Sequence, residues 1–115
     1  MYFRINDSRF DLFIIQTSKT LLLSNKLKAL REKYELLQRK VAAALDIDTA
    51  TYCKIEKGNY FPRKERVIQL ADILKADKDE LVKLWLADKI TIVAESEKDF
   101  AQEALNLVND KFDNK

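Results

Sequence analysis

Residues 38–58 read QRKVAAALDIDTATYCKIEKG, and their spacing decides the fold. In Gln38–Leu45, the residues Val41, Ala42 and Leu45 fall on one face of a short helix. The run Ala42–Ala44 is small enough to let another helix approach closely. Asp46-Ile47-Asp48 then breaks the period, and Ile47, the one apolar residue of the three, is expected to plug the turn. A second helix is expected over Thr49–Lys57, with Asp48 as its N-cap and Tyr52 and Ile55 facing inward. Gly58 ends it, because glycine takes the left-handed conformation at a helix C-terminus without steric cost.

The helical pattern extends both ways from this pair. Upstream, Ser24 reads as an N-cap, and Leu27, Leu30, Tyr34 and Leu37 recur at spacings of three and four, which predicts one buried face. Lys26, Lys28, Arg31 and Lys33 occupy other positions. Downstream, Asn59-Tyr60-Phe61-Pro62 is a loop. A helix over Arg63–Leu74 follows, with Val67, Leu70, Ala71 and Leu74 inward. Asp77 and Glu80 have capping-box spacing and open a helix carrying Leu81, Leu84 and Trp85 as far as Asp88. Residues 96–112 form an amphipathic helix with Phe100, Ala104, Leu107, Val108 and Phe112 on or near one stripe. Residues 1–23 are apolar and β-leaning. They are compatible with two short strands, a helix, or an extension outside the functional domain.

Composition supports an all-α chain. One Gly and one Pro in 115 residues are too few for the turns of an all-β protein. Hydrophobic residues at 47% and charged residues at 35% supply a core and a soluble surface. The expected organisation is an N-terminal extension (1–23), a helical domain (24–90) and an acidic helical segment (91–115). Residues 24–66 hold eleven Lys/Arg against six Asp/Glu, whereas residues 91–115 hold three against six. A basic middle suits an anionic partner. A single cysteine, Cys53, excludes an internal disulfide and fits a reducing, cytoplasmic location. No signal-peptide pattern and no membrane-spanning run is present in the sequence. The absence of histidine removes the commonest general base and metal ligand. Without a glycine-rich phosphate loop either, no enzyme, cofactor or metal site is expected.

Two short helices with a three-residue turn between them and an inward apolar turn residue make a helix-turn-helix, whose second helix fits the major groove of DNA. Residues 27–88 resemble the lambda-repressor-like, Cro/C1-type (XRE) helix-turn-helix family. The resemblance rests on Leu30-Arg31-Glu32, Leu36, Gln38, Ala42, Leu45, Ile47, Lys54-Ile55-Glu56-Lys57-Gly58, Pro62, Leu70-Ala71, Leu74 and Asp79-Glu80-Leu81. Three departures are visible: Leu37 stands where a capping Ser or Thr is usual, Asp46 where Gly is usual, and Arg63 where a Ser-like cap is usual. The resemblance implies a five-helix DNA-binding domain, here with an added C-terminal helix. It places base readout on Thr49, Ala50 and Lys54, and phosphate contact on Gln38 and Thr51. It also makes an ion pair between Arg31 and Glu56 plausible.

The residues themselves agree on the readers. With Tyr52 and Ile55 inward, Thr49, Ala50, Cys53 and Lys54 lie on or beside the opposite face. There, Lys54 can donate to guanine O6 and N7, and Ala50 can touch a thymine methyl. Arg39, Lys57, Asn59 and Arg63 are further candidates for the phosphate backbone. One recognition helix buries too little surface for tight specific binding, so a homodimer on a two-half-site operator is expected. Trp85, Phe100, Leu107 and Phe112 are its candidate contacts with a second copy or a protein partner. Size and layout are similar to restriction-modification controllers, phage repressors and helix-turn-helix antitoxins. A competing reading is therefore an antitoxin-type module that covers a protein partner with its acidic segment.

Overall fold

The computed structural model describes residues 21–113, and these are all helical: α1 (Leu22–Lys33), α2 (Gln38–Leu45), α3 (Thr49–Lys57), α4 (Lys64–Ile73), α5 (Lys78–Glu95) and α6 (Lys98–Asp113). α5 packs on α1, α4 and α6, while α3 packs on α1 and α2. One core joins Leu23, Leu27 and Leu30 of α1 to Val41, Ala42 and Leu45 of α2, and Tyr52 and Ile55 of α3. Val67, Leu70 and Ala71 of α4 and Leu81, Trp85 and Ile92 of α5 complete it, with Leu74 between these two helices. The apolar periodicities of α2, α3 and α4 thus mark their buried faces.

A chain with one glycine still turns sharply after α1, α2, α3 and α4, and it does so with one repeated device. Leu36 N–H donates to Arg31 O (3.0 Å), Ile47 to Ala42 O (3.0 Å), Asn59 to Lys54 O (2.8 Å) and Ala76 to Ala71 O (2.8 Å). Each bond closes over a left-handed residue: Glu35 (φ 55°), Asp46 (φ 60°), Gly58 (φ 79°) and Lys75 (φ 55°). These are Schellman-type ends, in which the residue after the left-handed one turns back onto the helix. Leu36, Ile47 and Ala76 occupy that position and pack against the core. Their burial offsets the roughly 1–2 kcal/mol that a Cβ costs in the left-handed region. Ile47 therefore does plug the turn, and Asp46 takes by strain the conformation that glycine takes freely.

Three local expectations change. Ser24 is not an N-cap. α1 begins two residues earlier, and Ser24 lies buried inside it with Oγ donating to Leu21 O at 3.4 Å. Tyr34 and Leu37 do not continue the buried face; they are 38% and 53% exposed. Tyr34 is already the C-cap at the end of α1, while the left-handed turn at Glu35 rotates Leu37 off the stripe, and Leu36 takes the inward place. Tyr34 instead lies under Lys33 Nζ and Lys75 Nζ, at 5.4 and 5.9 Å from its ring centre. Finally, α5 does not stop at Asp88 but runs to Glu95. The β-branched stretch Ile90–Val93 is held helical by Ile92, which is fully buried.

Asp88 does what Ser24 does not. It is 1% exposed, and its two carboxylate oxygens accept from Leu22 N–H and Leu23 N–H, each at 2.8 Å. The first turn of α1 is thus capped by a side chain from α5, which satisfies donors that no local residue reaches. Burial raises the Asp88 carboxyl above its ordinary range, and these two backbone bonds only partly offset it. A raised carboxylate favours folding below the ordinary aspartate value, and that contribution is lost as pH rises through the raised one. Asp88→Asn should abolish this slope. It should also cost about 1–3 kcal/mol, because one buried N–H then faces an amide group instead of an oxygen. Urea denaturation across pH 4–8 reads both effects.

Candidate nucleic-acid interface

α2 and α3 form the helix-turn-helix, and a buried polar network sets their angle. Arg31 Nε and Nη2 donate to the two oxygens of Glu56 at 2.6 and 3.1 Å, and Nη1 donates to Leu36 O at 2.8 Å. Gln38 Nε2 donates to Glu56 Oε1 at 3.1 Å, and Cys53 Sγ donates to Gln38 Oε1 at 2.9 Å. One chain of bonds therefore ties α1, the following turn, the start of α2 and the middle of α3. The side chains of Arg31 and Glu56 are 13% and 3% exposed. Burial pushes the Glu56 carboxyl upward, but the bonds from Arg31 and Gln38, with the Tyr52 hydroxyl close by, overcome it and hold the group below its ordinary range. Burial, with Glu56 nearby, drives the Tyr52 phenol far above its usual range. The Tyr52 hydroxyl has no hydrogen-bond partner within standard geometry, so it feels the Glu56 charge without a well-formed bond.

The outer face of α3 is open. Thr49, Ala50, Lys54 and Lys57 are exposed, and Cys53 is half-buried beside them. Helical spacing puts these five on one arc, opposite buried Tyr52, Ile55 and Glu56. Asp48 caps the helix through Thr51 N–H at 2.7 Å. The Thr51 side chain and this N–H hold the Asp48 carboxyl below its ordinary range. The C-terminal turn carries Lys54 and Lys57, ends at Gly58, and is followed by half-buried Asn59. Arg39 and Arg63 are exposed, each in the first residues of its helix or at its cap.

The structure refines what several of these residues can do. Gln38, expected to reach phosphate, has its Nε2 on Glu56 and its Oε1 on Cys53. The missing cap at Leu37 is real: no side chain caps α2, which leaves the positive end of that helix open to an anion. Arg63 likewise gives no side-chain cap to α4. Arg66 takes a structural role that spacing did not signal, donating to Leu45 O at 3.0 Å across the end of α2. The loop after α3 is fastened from below. Trp85 Nε1 donates to Pro62 O at 2.9 Å, and its ring stacks on Phe61 at 5.8 Å between centres and 21° between planes. Trp85 is 8% exposed, so its ring belongs to the core. Of the four candidate partner contacts, Phe100, Leu107 and Phe112 are the exposed ones.

Among the described residues, no helix is long and apolar enough to cross a membrane, and no cluster of His, Cys, Asp or Glu is arranged to hold a metal ion. Residues 22–84, more than half of the chain, match the family model described as a helix-turn-helix domain. No curated protein and no solved structure matches.

Proposed function

The chain belongs to the helix-turn-helix domain family, and from that premise we propose that it is a sequence-specific regulator that docks α3 in the major groove of double-stranded DNA. The observation that carries this reading is the division of α3. Its inner face is locked by Tyr52, Ile55 and the Glu56 network, and its outer face offers exposed Thr49, Ala50 and Lys54. A helix held this rigidly can present side chains to base edges in a fixed register. Lys54 donates to guanine, Thr49 offers a hydroxyl and a methyl, and Ala50 meets a thymine methyl. Arg39, Lys57, Asn59, Arg63, Thr51 and the open start of α2 at Gln38 hold the phosphate backbone on either side.

Two copies reading half-sites about 34 Å apart would supply the surface that one helix lacks. Fluorescence anisotropy on duplexes selected from a random pool tests the reading. With about six phosphate contacts, affinity should fall about a thousandfold between roughly 50 and 200 mM salt; a flat salt response would end the proposal. Lys54→Ala should lower preference at a single base position about tenfold and leave the rest of the site unchanged. Arg63→Ala should instead weaken all duplexes alike and lower the salt slope by about one. The exposed apolar side of α6 favours a second reading, in which the domain acts by binding a protein partner. Stable capture of that partner without any salt-sensitive DNA shift would replace the first.

A further inference from the structure

α6 is a sixteen-residue helix with no buried residue. Phe100, Leu107, Val108 and Phe112 are 65%, 68%, 47% and 67% exposed. Ala101 and Leu105 are half-covered, but Val108 and Phe112, farther along the same side, are open, so α6 leaves the shelter of the body after its first two turns. Phe100, Ala104, Leu107 and Lys111 follow a four-three-four spacing, the pattern of a helix that packs along a partner helix. Lys111 is the polar member of that row. Its neighbours three and four residues back are Val108 and Leu107, so its own helix supplies no carboxylate there.

From this pattern we propose that α6 pairs with α6 of a second copy in an antiparallel, two-fold arrangement that crosses at Leu107. Glu103 lies four residues before Leu107 and Lys111 four residues after it. Antiparallel pairing about Leu107 therefore sets each Lys111 beside the other copy's Glu103, making two symmetric ion pairs. It also brings each Phe100 within a turn of the opposite Phe112. Parallel pairing would instead oppose Lys111 to Lys111 and Glu103 to Glu103. The area is just adequate. Two phenylalanines about two-thirds exposed, of roughly 150–250 Å² each as whole side chains, contribute about 100–160 Å² each, and with Leu107 and Val108 the face brings at most about 500 Å² per chain. The pair reaches at most about 1,000 Å², the floor for a specific interface. This inference rests on the dimeric form of the regulator proposed above and names the surface that makes it.

The test is sedimentation equilibrium of the full chain without DNA. The wild type should be dimeric at micromolar concentration. Leu107→Asp should raise the dimer dissociation constant about 100-fold or more while keeping its helical circular dichroism, since Leu107 is not part of the core. Lys111→Glu should weaken the dimer, and adding Glu103→Lys should restore it. A wild type that stays monomeric, whether α6 is then covered by residues 1–20 or left open, overturns the proposal. So does a dimer indifferent to Leu107→Asp, or a charge exchange that fails to restore pairing. Anisotropy separates this result from the DNA reading. A dimer that binds no duplex refutes only the latter, and a monomer with salt-sensitive duplex binding refutes only the former.

Discussion

Glu56→Ala should lower the stability of the domain by about 3 kcal/mol in urea denaturation, one of the two largest effects expected of a single substitution here. The substitution removes an acceptor from a buried group that keeps its charge. Arg31 loses two of its three hydrogen bonds, at 2.6 and 3.1 Å, and Gln38 loses the oxygen that positions its amide. Breaking one side of a buried pair costs about 3–5 kcal/mol, because the remaining ion is desolvated without compensation. The lower end applies because the Arg31 side chain keeps 13% exposure and can turn partly toward water. Replacing both partners together, as Arg31→Met with Glu56→Leu, should restore much of the loss. That contrast separates the cost of an orphaned charge from the worth of the pair. The pair also has a pH signature. Because the Glu56 carboxyl is held below its ordinary range, its contribution is present above the ordinary glutamate value. It is lost as pH falls through the depressed one. The slope is opposite in sign to that of Asp88, and Glu56→Gln should remove it.

Trp85→Ala should cost about 3–5 kcal/mol, the range for deleting a large core side chain. Three separate losses contribute: the buried ring itself, its stacking on Phe61, and the indole N–H that satisfies Pro62 O. Trp85→Phe is the informative companion. It retains most of the apolar volume and the ring contact but leaves Pro62 O without its donor, so its cost should be about 1–3 kcal/mol. Tryptophan fluorescence reports the folding of this one site directly, since the chain has a single Trp. Both variants also loosen the loop between α3 and α4, so the Phe variant, which should remain folded, ought to show lower DNA affinity with unchanged base preference.

The parts legible in the sequence were those where a local signal and the buried face coincided. Asp48, Tyr52, Ile55 and Gly58 fix α3 within a residue, and the outer positions of that helix follow by subtraction. The Arg31–Glu56 pair lies 25 positions apart and was accessible only through family resemblance, since nothing in either residue's neighbourhood names its partner. Leu37 misled because Glu35 adopts a left-handed conformation that glycine usually announces, and Tyr34 because α1 ends just before it. Asp88 was hidden for a different reason. It lies on the row Leu81, Trp85, Asp88, Ile92, whose four-three-four spacing points inward, but a carboxylate on such a row reads as the end of the apolar face. Here it is the buried member that receives two backbone donors.

The cap formed by Asp88 also sets an order of events during synthesis. The donors at Leu22 and Leu23 are separated from their acceptor by 66 and 65 positions. Among the described residues, the helix made first is therefore the one whose start must wait for α5. α2, α3 and their turn close through contacts within about twenty residues, as local pairings tend to do early. The helix-turn-helix pair can thus take shape on the ribosome while the beginning of α1 is still uncapped, and that cap closes only when residue 88 arrives.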